Sequence, residues 1–370
     1  MSDAALETMW LVIAVAAACA VPGVFLVLRR LALIADAISH VLLFGIVIMY
    51  FIVRDLDSPW LALGATASGV LTVALVELLH RTKLVQEDAA IGLVFPALFA
   101  IGTILASMYF RGTHLDIDQV LLGHAELVRF TRAIEIAGVP LGRLPTIIMG
   151  GMFALNVGLV VAFYKELKLS TFDPALAATF GFLPWLLHYG LMTVVSVTTV
   201  AAFDAVGPIL VVAFLVVPAA TAILLVERLH WVLAVAVADA VLAAVSGVFL
   251  AFELKTNTAG TVATVLGAIF GVTFFVAPNR GLIAQVYRRF RQRREFFVTM
   301  LTIHLLQHEG TPAEPDEARE DGLYRHLHWT PNEVAGVVRR ALGEELIERK
   351  ELLLQLTEAG RVRARSVLNL

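Results

Sequence analysis

An aspartate and a histidine, Asp36 and His40, lie inside an apolar segment and have the clearest potential for chemistry. They are four residues apart, so their side chains share one face of a helix, with Ser39 beside them. A carboxylate and an imidazole together suit Mn²⁺, Fe²⁺ or Zn²⁺. The alternative is an Asp–His hydrogen bond that holds helices together. One pair supplies only two ligands, so a metal site needs more, for example from a symmetry-related copy.

Other polar side chains are weaker candidates. Asp239, in a later apolar segment, could be a further metal ligand or could simply face a cavity. His188 fits a packing role. The loop 111–144 contains a cluster that could form an entry site or could be solvated, namely His114, Asp116, Asp118 and His124. No His-Glu-x-x-His motif is found in the sequence, which disfavours an intramembrane zinc enzyme.

Membrane-spanning helices must position these side chains. Of the 370 residues, 59% are hydrophobic and only 16% are charged, whereas soluble domains average about 25% charged residues. The composition therefore excludes an ordinary cytosolic enzyme, a disordered chain and a coiled coil. Apolar runs of about 20 residues are long enough to cross a bilayer as helices. Nine such spans are predicted, at 9–28, 31–53, 60–79, 90–110, 145–164, 182–203, 205–226, 231–252 and 258–277.

The charged residues are distributed unevenly along the chain. Residues 1–280 contain 32 charged side chains, and the last 90 residues contain 27. This contrast predicts two domains, a transmembrane domain at 1–283 and a small soluble domain at 284–370. The fold class is thus an all-α polytopic membrane protein followed by a small α+β domain.

Basic residues near the span ends predict the orientation, because cytoplasmic loops are enriched in Lys and Arg. The basic run at 288–294, after the last span, decides the direction. It places the N-terminus outside and the C-terminal tail in the cytoplasm. The same run suits contact with anionic membrane lipid.

Several segments, taken in their order along the chain, resemble one family. They are LIADAISH at 33–40, EDAAIG at 87–92, FDPALA at 172–177, VGPILV at 206–211 and VPAATA at 217–222. Together they are similar to the permease subunit of the manganese/zinc/iron ATP-binding-cassette importers, over about residues 10–283. The resemblance implies a multi-pass protein of the bacterial cytoplasmic membrane. It also implies that Asp36 and His40 gate or coordinate the metal midway through the membrane.

The resemblance further implies partners. Phe172, Asp173, Pro174 and Leu176 match the cytoplasmic coupling helix that docks into a separate ATPase subunit. The sequence has no Gly-x-x-x-x-Gly-Lys-Ser/Thr loop, so ATP would act on that partner. An extracytoplasmic solute-binding protein would deliver the ion. A second permease subunit, identical or not, would face this one, and two Asp36/His40 pairs could then give four ligands. No permanently bound cofactor is expected.

The tail departs from such permeases. Residues 295–308 show a helical apolar stripe, and 311–321 is an acidic segment expected to be a loop. Thr330, Pro331 and Glu333 predict the capped start of a helix. Two short β-like segments then precede a Leu-Thr-Glu-x-Gly sequence. This order resembles a winged helix-turn-helix and is similar to the DNA-binding part of diphtheria-toxin-repressor-class metal-dependent regulators.

The role of the tail stays open at this point. Asn332, Arg339 and Arg340 could contact bases or phosphates. However, residues 281–370 contain 14 basic and 13 acidic side chains, which is a poor electrostatic footprint for nucleic acid. A regulatory or protein-contact module is the preferred interpretation. His304 and His308, four apart, together with His326 and His328 further along the chain, could sense metal or could lie on a solvated face.

A divalent-metal permease is the preferred function. The alternative is a membrane-tethered, metal-responsive transcriptional regulator, which would need neither an ionisable pair inside a span nor a coupling segment. Asp plus His tolerates manganese, iron and zinc alike. The likeness of the tail to manganese- and iron-sensing regulators favours Mn²⁺, followed by Fe²⁺ or Zn²⁺.

Overall fold

The computed structural model describes residues 3–55, 58–109, 125, 128, 131, 133–136, 139–278, 280–350 and 353–368. The chain divides into two compact units, Met1–Gly281 and Leu282–Leu370.

The first unit is almost entirely helical. Its elements are α1 (Asp3–Leu28), α2 (Ala32–Val53), α3 (Trp60–Arg81), α4 (Glu87–Tyr109), β1 (Ala133–Ile136), β2 (Val139–Arg143), α5 (Leu144–Ala162), α6 (Tyr164–Phe172), α7 (Pro174–Thr179), α8 (Pro184–Val206), α9 (Pro208–Leu225), α10 (Leu229–Leu254) and α11 (Thr258–Val276). Strands β1 and β2 pair in antiparallel fashion.

Nine helices among the described residues are long and apolar enough to cross a membrane, as the sequence predicts. They are α1 to α5 and α8 to α11. One predicted boundary was wrong. The sixth spanning helix continues to Val206 and the seventh begins at Pro208, whereas the sequence placed the break between 203 and 205. Gly207 adopts a φ of +80° between them, which a residue without Cβ accommodates, and proline suits the first position of the next helix.

Helix α1 lies at the centre of this unit and packs against α5, α8, α9 and α10. Its small side chains are buried from Val15 to Ala20, which lets neighbouring backbones approach closely. A buried amide adds polar contacts. The Nδ2 atom of Asn156 on α5 donates to the carbonyl oxygen of Ala18 at 2.9 Å and to Oγ1 of Thr198 on α8 at 3.0 Å. The central helix is thereby tied to two others.

Helix α2 packs against α3 and α4. At the α2–α3 crossing, Gly45 and Gly64 lie backbone to backbone. A Cβ at Gly64 would lie 2.6 Å from both the carbonyl oxygen of Gly45 and Cβ of Met49. The crossing therefore needs a residue without a side chain at position 64. The close contact between the two helices holds α2 in place.

We expect Gly64→Ala to lower the melting temperature of the purified protein in detergent, because overpacking of this kind costs about 1–3 kcal/mol. The matched control is Gly158→Ala on α5, where a Cβ would meet none of the described atoms within 4 Å. Thermal unfolding should give a clearly lower melting temperature for Gly64→Ala than for Gly158→Ala. Equal melting temperatures would contradict the close crossing of α2 and α3.

The second unit contains α12 (Leu282–His308), α13 (Glu314–Glu317), α14 (Leu323–His326), α15 (Pro331–Gly343), β3 (Ile347–Lys350), β4 (Leu353–Leu356) and α16 (Glu358–Leu368). Strands β3 and β4 form an antiparallel pair in which Ile347 faces Leu356. The predicted capped start of α15 is confirmed: Thr330 and Glu333 form a reciprocal capping box.

This unit has its own apolar core, which includes Val298, Leu301 and Leu305 of α12. The predicted stripe on this helix was partly wrong, because Phe296 is exposed and Val298 takes the inward position. The acidic segment 311–321, predicted to be a loop, contains the short helix α13. A proline at its second position suits the start of a helix.

Candidate functional site

The predicted metal pair lies on one face of α2. Oδ1 of Asp36 and Nε2 of His40 are 3.5 Å apart. They are the fifth and ninth residues of a 22-residue helix. At 1.5 Å per residue they lie about 6 and 12 Å from its first residue, in the first half of the span rather than at its midpoint.

Two aromatic rings of α4 enclose the imidazole of His40. The Phe95 ring lies parallel to it and the Phe99 ring meets it edge-on, both with centroids 5.9 Å away. Ser39, by contrast, is buried and donates to the carbonyl oxygen of Ala35 at 3.0 Å. The hydroxyl therefore turns away from the pair, and α4 restrains the histidine ring.

The side chains of Leu33, Asp36 and His40 form an open face of α2. Within this chain the side chain of Asp36 is 49% exposed and that of His40 is 38% exposed, and Leu33 is exposed beside them. A carboxylate inside a span faces protein or water rather than lipid. The open face therefore requires another protein surface or an aqueous cavity.

Asp239 lies elsewhere, on α10. It is 7% exposed and contacts the Thr221 side chain of α9. Across the described ranges, Asp239 does not form a compact group of potential ligands with Asp36 and His40. Its other carboxylate oxygen, Oδ2, is buried and accepts no hydrogen bond from the described part of the chain.

The predicted coupling segment, residues 172–177, joins α6 to α7. Asp173 caps α7 by accepting a hydrogen bond from the Leu176 backbone at 2.9 Å, and Pro174 is its first residue. Asp and Pro are the residue types that start a helix well. Phe172 and Leu176 are exposed, at 59% and 43%, so the segment presents apolar side chains that no described residue of this chain covers.

Arg29 connects α1 to the helix that leads into this segment, a role that sequence reasoning missed. Its guanidinium donates to Oγ of Ser170 at 2.8 Å and to Oγ1 of Thr171 at 3.1 Å. Burial lowers the pKa of Arg29 to about 10, which leaves it charged at pH 7. These residues and His188 line an open pocket of about 470 Å³. From the sequence, Arg29 is only one of many basic residues beside a span.

The tail residues fall into two groups. Asn332 and Arg339 are exposed on α15, while Arg340 pairs with Glu344 at 2.7 Å. Other basic side chains of this unit also pair with acids of the same unit, including Arg293 with Glu333, Arg349 with Glu320 and Arg363 with Glu344. Hydrogen bonds from Thr330 lower the pKa of Glu333 and hold it ionised. These ion pairs leave fewer basic side chains of this unit open to phosphate.

His304 and His308 come together at the end of α12, with ring centroids 4.7 Å apart. His326, which the sequence analysis also named, and Glu317, which it missed, lie beside them. The loop cluster His114, Asp116, Asp118 and His124 lies outside the described residues.

Comparisons with known proteins identify the family. The zinc transport system membrane protein TroD of Treponema pallidum (strain Nichols) is 40% identical over 356 residues, which is 96% of each chain. The manganese transport system membrane protein MntD of Bacillus subtilis (strain 168) is 42% identical over 281 residues, covering 76% of this chain and 95% of MntD. MntD therefore matches little more than the first unit, whereas TroD matches both units.

The fold has a solved counterpart. A chain in the structure of PsaBC from Streptococcus pneumoniae in complex with Fab superposes with a TM-score of 0.63 at 26% identity, over 79% of this chain and 96% of that one. Residues 1–277 match the family described as the ABC 3 transport family. The chain with the half-exposed Asp36/His40 pair thus belongs to the ABC 3 transport family.

Proposed function

We propose that this chain is the permease subunit of an ATP-binding-cassette importer for a divalent transition metal, and that Asp36 and His40 bind the ion during passage. The observation that carries the proposal is the open face of α2. A carboxylate and an imidazole 3.5 Å apart stand inside a span, and each side chain is more than one third exposed within its own chain. Asp239 is proposed only as a secondary contact for the ion.

A second permease subunit is the surface that completes this face. Two facing Asp36/His40 pairs would supply four ligands from N and O donors, the set that Mn²⁺, Fe²⁺ and Zn²⁺ accept. The ion must bind well enough to shed water and weakly enough to leave. Four side chains that two subunits share meet both demands, because a small movement between the subunits separates the pairs.

The driving force would come from a cytoplasmic ATPase subunit bound to the coupling segment. Arg29 contacts Ser170 and Thr171, so the first interhelical loop and the coupling segment lie on one side of the spans. We assign that side to the cytoplasm, together with the tail, and the N-terminus to the outside, where a solute-binding protein would deliver the ion. Packed elements switch between discrete states. The contacts of Arg29 with Ser170 and Thr171 would therefore transmit a movement of the ATPase to α1.

The choice of metal rests on the relatives and on the tail. TroD is named for zinc, MntD for manganese, and a further relative, YfeC of Yersinia pestis, for chelated iron. We propose Mn²⁺ first, as the sequence favours, and Zn²⁺ or Fe²⁺ next.

The proposal is tested by uptake into proteoliposomes that contain the permease with its cognate ATPase and binding protein. ATP-dependent accumulation of radiolabelled Mn²⁺, with unlabelled Zn²⁺ and Fe²⁺ as competitors, is the expected result. Liposomes that accumulate none of the three ions, although the complex hydrolyses ATP, would refute the proposal.

Arg29 provides a test of coupling. We expect Arg29→Lys to lower the ATP-driven uptake rate about tenfold, because an ammonium group cannot reproduce the geometry in which the guanidinium donates to both Ser170 and Thr171. The matched control is Arg30→Lys, at the exposed neighbouring position. Uptake rates and ATPase rates are measured on the same vesicles. Equal uptake in both variants would remove Arg29 from the coupling path.

For the tail we propose a winged helix-turn-helix at 284–370 that regulates the transporter or contacts another protein. In support, α15 is followed by the β3–β4 hairpin, and Arg319 forms a β-bridge with Leu353 that adds a third strand-like segment. The many internal ion pairs disfavour DNA binding and hence the tethered-regulator alternative. The permease domain is proposed to be 1–283.

A further inference from the structure

Four side chains of the second unit lie close together, and none of them has a role in the proposed transport. His304 and His308 lie one turn apart near the end of α12, and Glu317 is the last residue of α13. Each offers a ligand atom, and these three atoms lie within 4.8 Å of one another. His326, the last residue of α14, places Nδ1 3.0 Å from Oε2 of Glu317.

The distances suit a shared ion. Metal–ligand bonds of about 2.0–2.2 Å place neighbouring ligand atoms about 3.0–3.5 Å apart in tetrahedral or octahedral geometry. Oε2 of Glu317 is 3.0 Å from the nitrogen of His326 and 3.3 Å from Nε2 of His304. Nε2 of His304 also lies 3.2 Å from the backbone oxygen of Glu317, a hydrogen-bond distance. The ligand atoms of His304, His308 and Glu317 thus lie around one region of space, and His326 contacts this group through Glu317.

One oxygen of this group is left without a hydrogen bond. Oε2 of Glu317 is buried and accepts no well-directed hydrogen bond from the described residues, although two ring nitrogens are near. Such an atom costs free energy unless a positive partner is present.

His308 is also oriented as a metal ligand is. Nδ1 of His308 lies 3.0 Å from the carbonyl oxygen of His304. A proton on Nδ1 leaves the lone pair on Nε2 available, which is how protein metal sites commonly set the tautomer of a ligand. The rings of His304 and His326 are nearly parallel, with an interplanar angle of 29°.

We propose that His304, His308 and Glu317 bind one first-row divalent transition cation in the tail, with His326 holding the carboxylate of Glu317. Two imidazoles and one carboxylate favour Zn²⁺ over Mn²⁺, following the general order of affinity for such donors. The ion would hold the ends of α12 and α13 together and, through His326, that of α14. It would therefore stabilise a part of the tail in which the two short helices are each four residues long.

The test uses the full-length chain in detergent, titrated with Co²⁺ as a spectroscopic probe and then with Zn²⁺. We expect visible absorption bands typical of nitrogen and oxygen coordination, saturating near one equivalent and lost on addition of Zn²⁺. The double variant His304→Gln/His308→Gln should bind Co²⁺ about 100-fold more weakly. Glu317→Gln, which keeps the side-chain volume, should weaken binding as well.

Two controls make the result decisive. His328→Asn removes a neighbouring histidine at a position with a φ of +53°, which asparagine tolerates, and it should leave the Co²⁺ signal unchanged. Asp36→Asn/His40→Gln removes the proposed transport site and should keep the saturating Co²⁺ bands of the tail site, so the two sites are tested separately. Full Co²⁺ binding by the tail double variant, or loss of the signal in Asp36→Asn/His40→Gln, would overturn the proposal.

Discussion

Asp36→Asn and His40→Gln are each expected to reduce ATP-dependent metal uptake about 100-fold or more. Loss of a group that merely orients a metal ligand already costs about 10–100-fold in affinity, and here a ligand itself is removed. Both replacements keep a polar side chain of similar size at a half-exposed position. The helix and its packing against α3 and α4 should therefore persist.

The measurement is the initial rate of radiolabelled Mn²⁺ and Zn²⁺ uptake into proteoliposomes with matched protein content. Asp204→Asn and His230→Gln are the matched controls, since both positions are exposed near helix ends. They should transport normally. Assembly with the ATPase should be unchanged in all four variants. Normal uptake by Asp36→Asn or His40→Gln would remove the open face of α2 from the ion pathway.

The spanning helices are predictable from sequence because each depends on a local property, a run of about 20 apolar residues. Their ends depend on single residues. The break at Gly207 and Pro208 was misplaced because the predicted boundary followed hydropathy, which stays high on both sides, and not the Gly-Pro pair, where Gly207 has a φ of +80°. Hydropathy does not report a backbone angle.

The Asp36/His40 pair was predictable for the same local reason, since a spacing of four fixes a shared helix face. Its surroundings were not. Phe95 and Phe99 reach His40 from another helix, and Arg29 reaches Ser170 across about 140 positions of sequence. Such contacts depend on tertiary packing. Likewise His304 and His308 form a visible pair, whereas Glu317 and His326 join them only through the fold of the tail.

The coupling segment gives the second large effect. Phe172→Ala/Leu176→Ala is expected to abolish stable association with the ATPase subunit. An apolar side chain that becomes fully buried contributes about 1.5–3 kcal/mol, so losing two costs about 3–6 kcal/mol, or about two to four orders of magnitude in affinity. Both side chains are exposed in this chain, so their truncation leaves its own core intact.

The measurement is co-purification of the tagged ATPase with the full-length permease, together with permease-dependent stimulation of ATP hydrolysis in liposomes. The control variant is Phe252→Ala/Leu254→Ala. It removes an exposed phenylalanine and an exposed leucine at the C-terminal end of α10, away from the coupling segment. It should retain the ATPase. Because the two variants lose the same residue types, a difference between them reflects position rather than hydrophobicity. Retention of the ATPase by Phe172→Ala/Leu176→Ala would mean that the subunits dock through another surface.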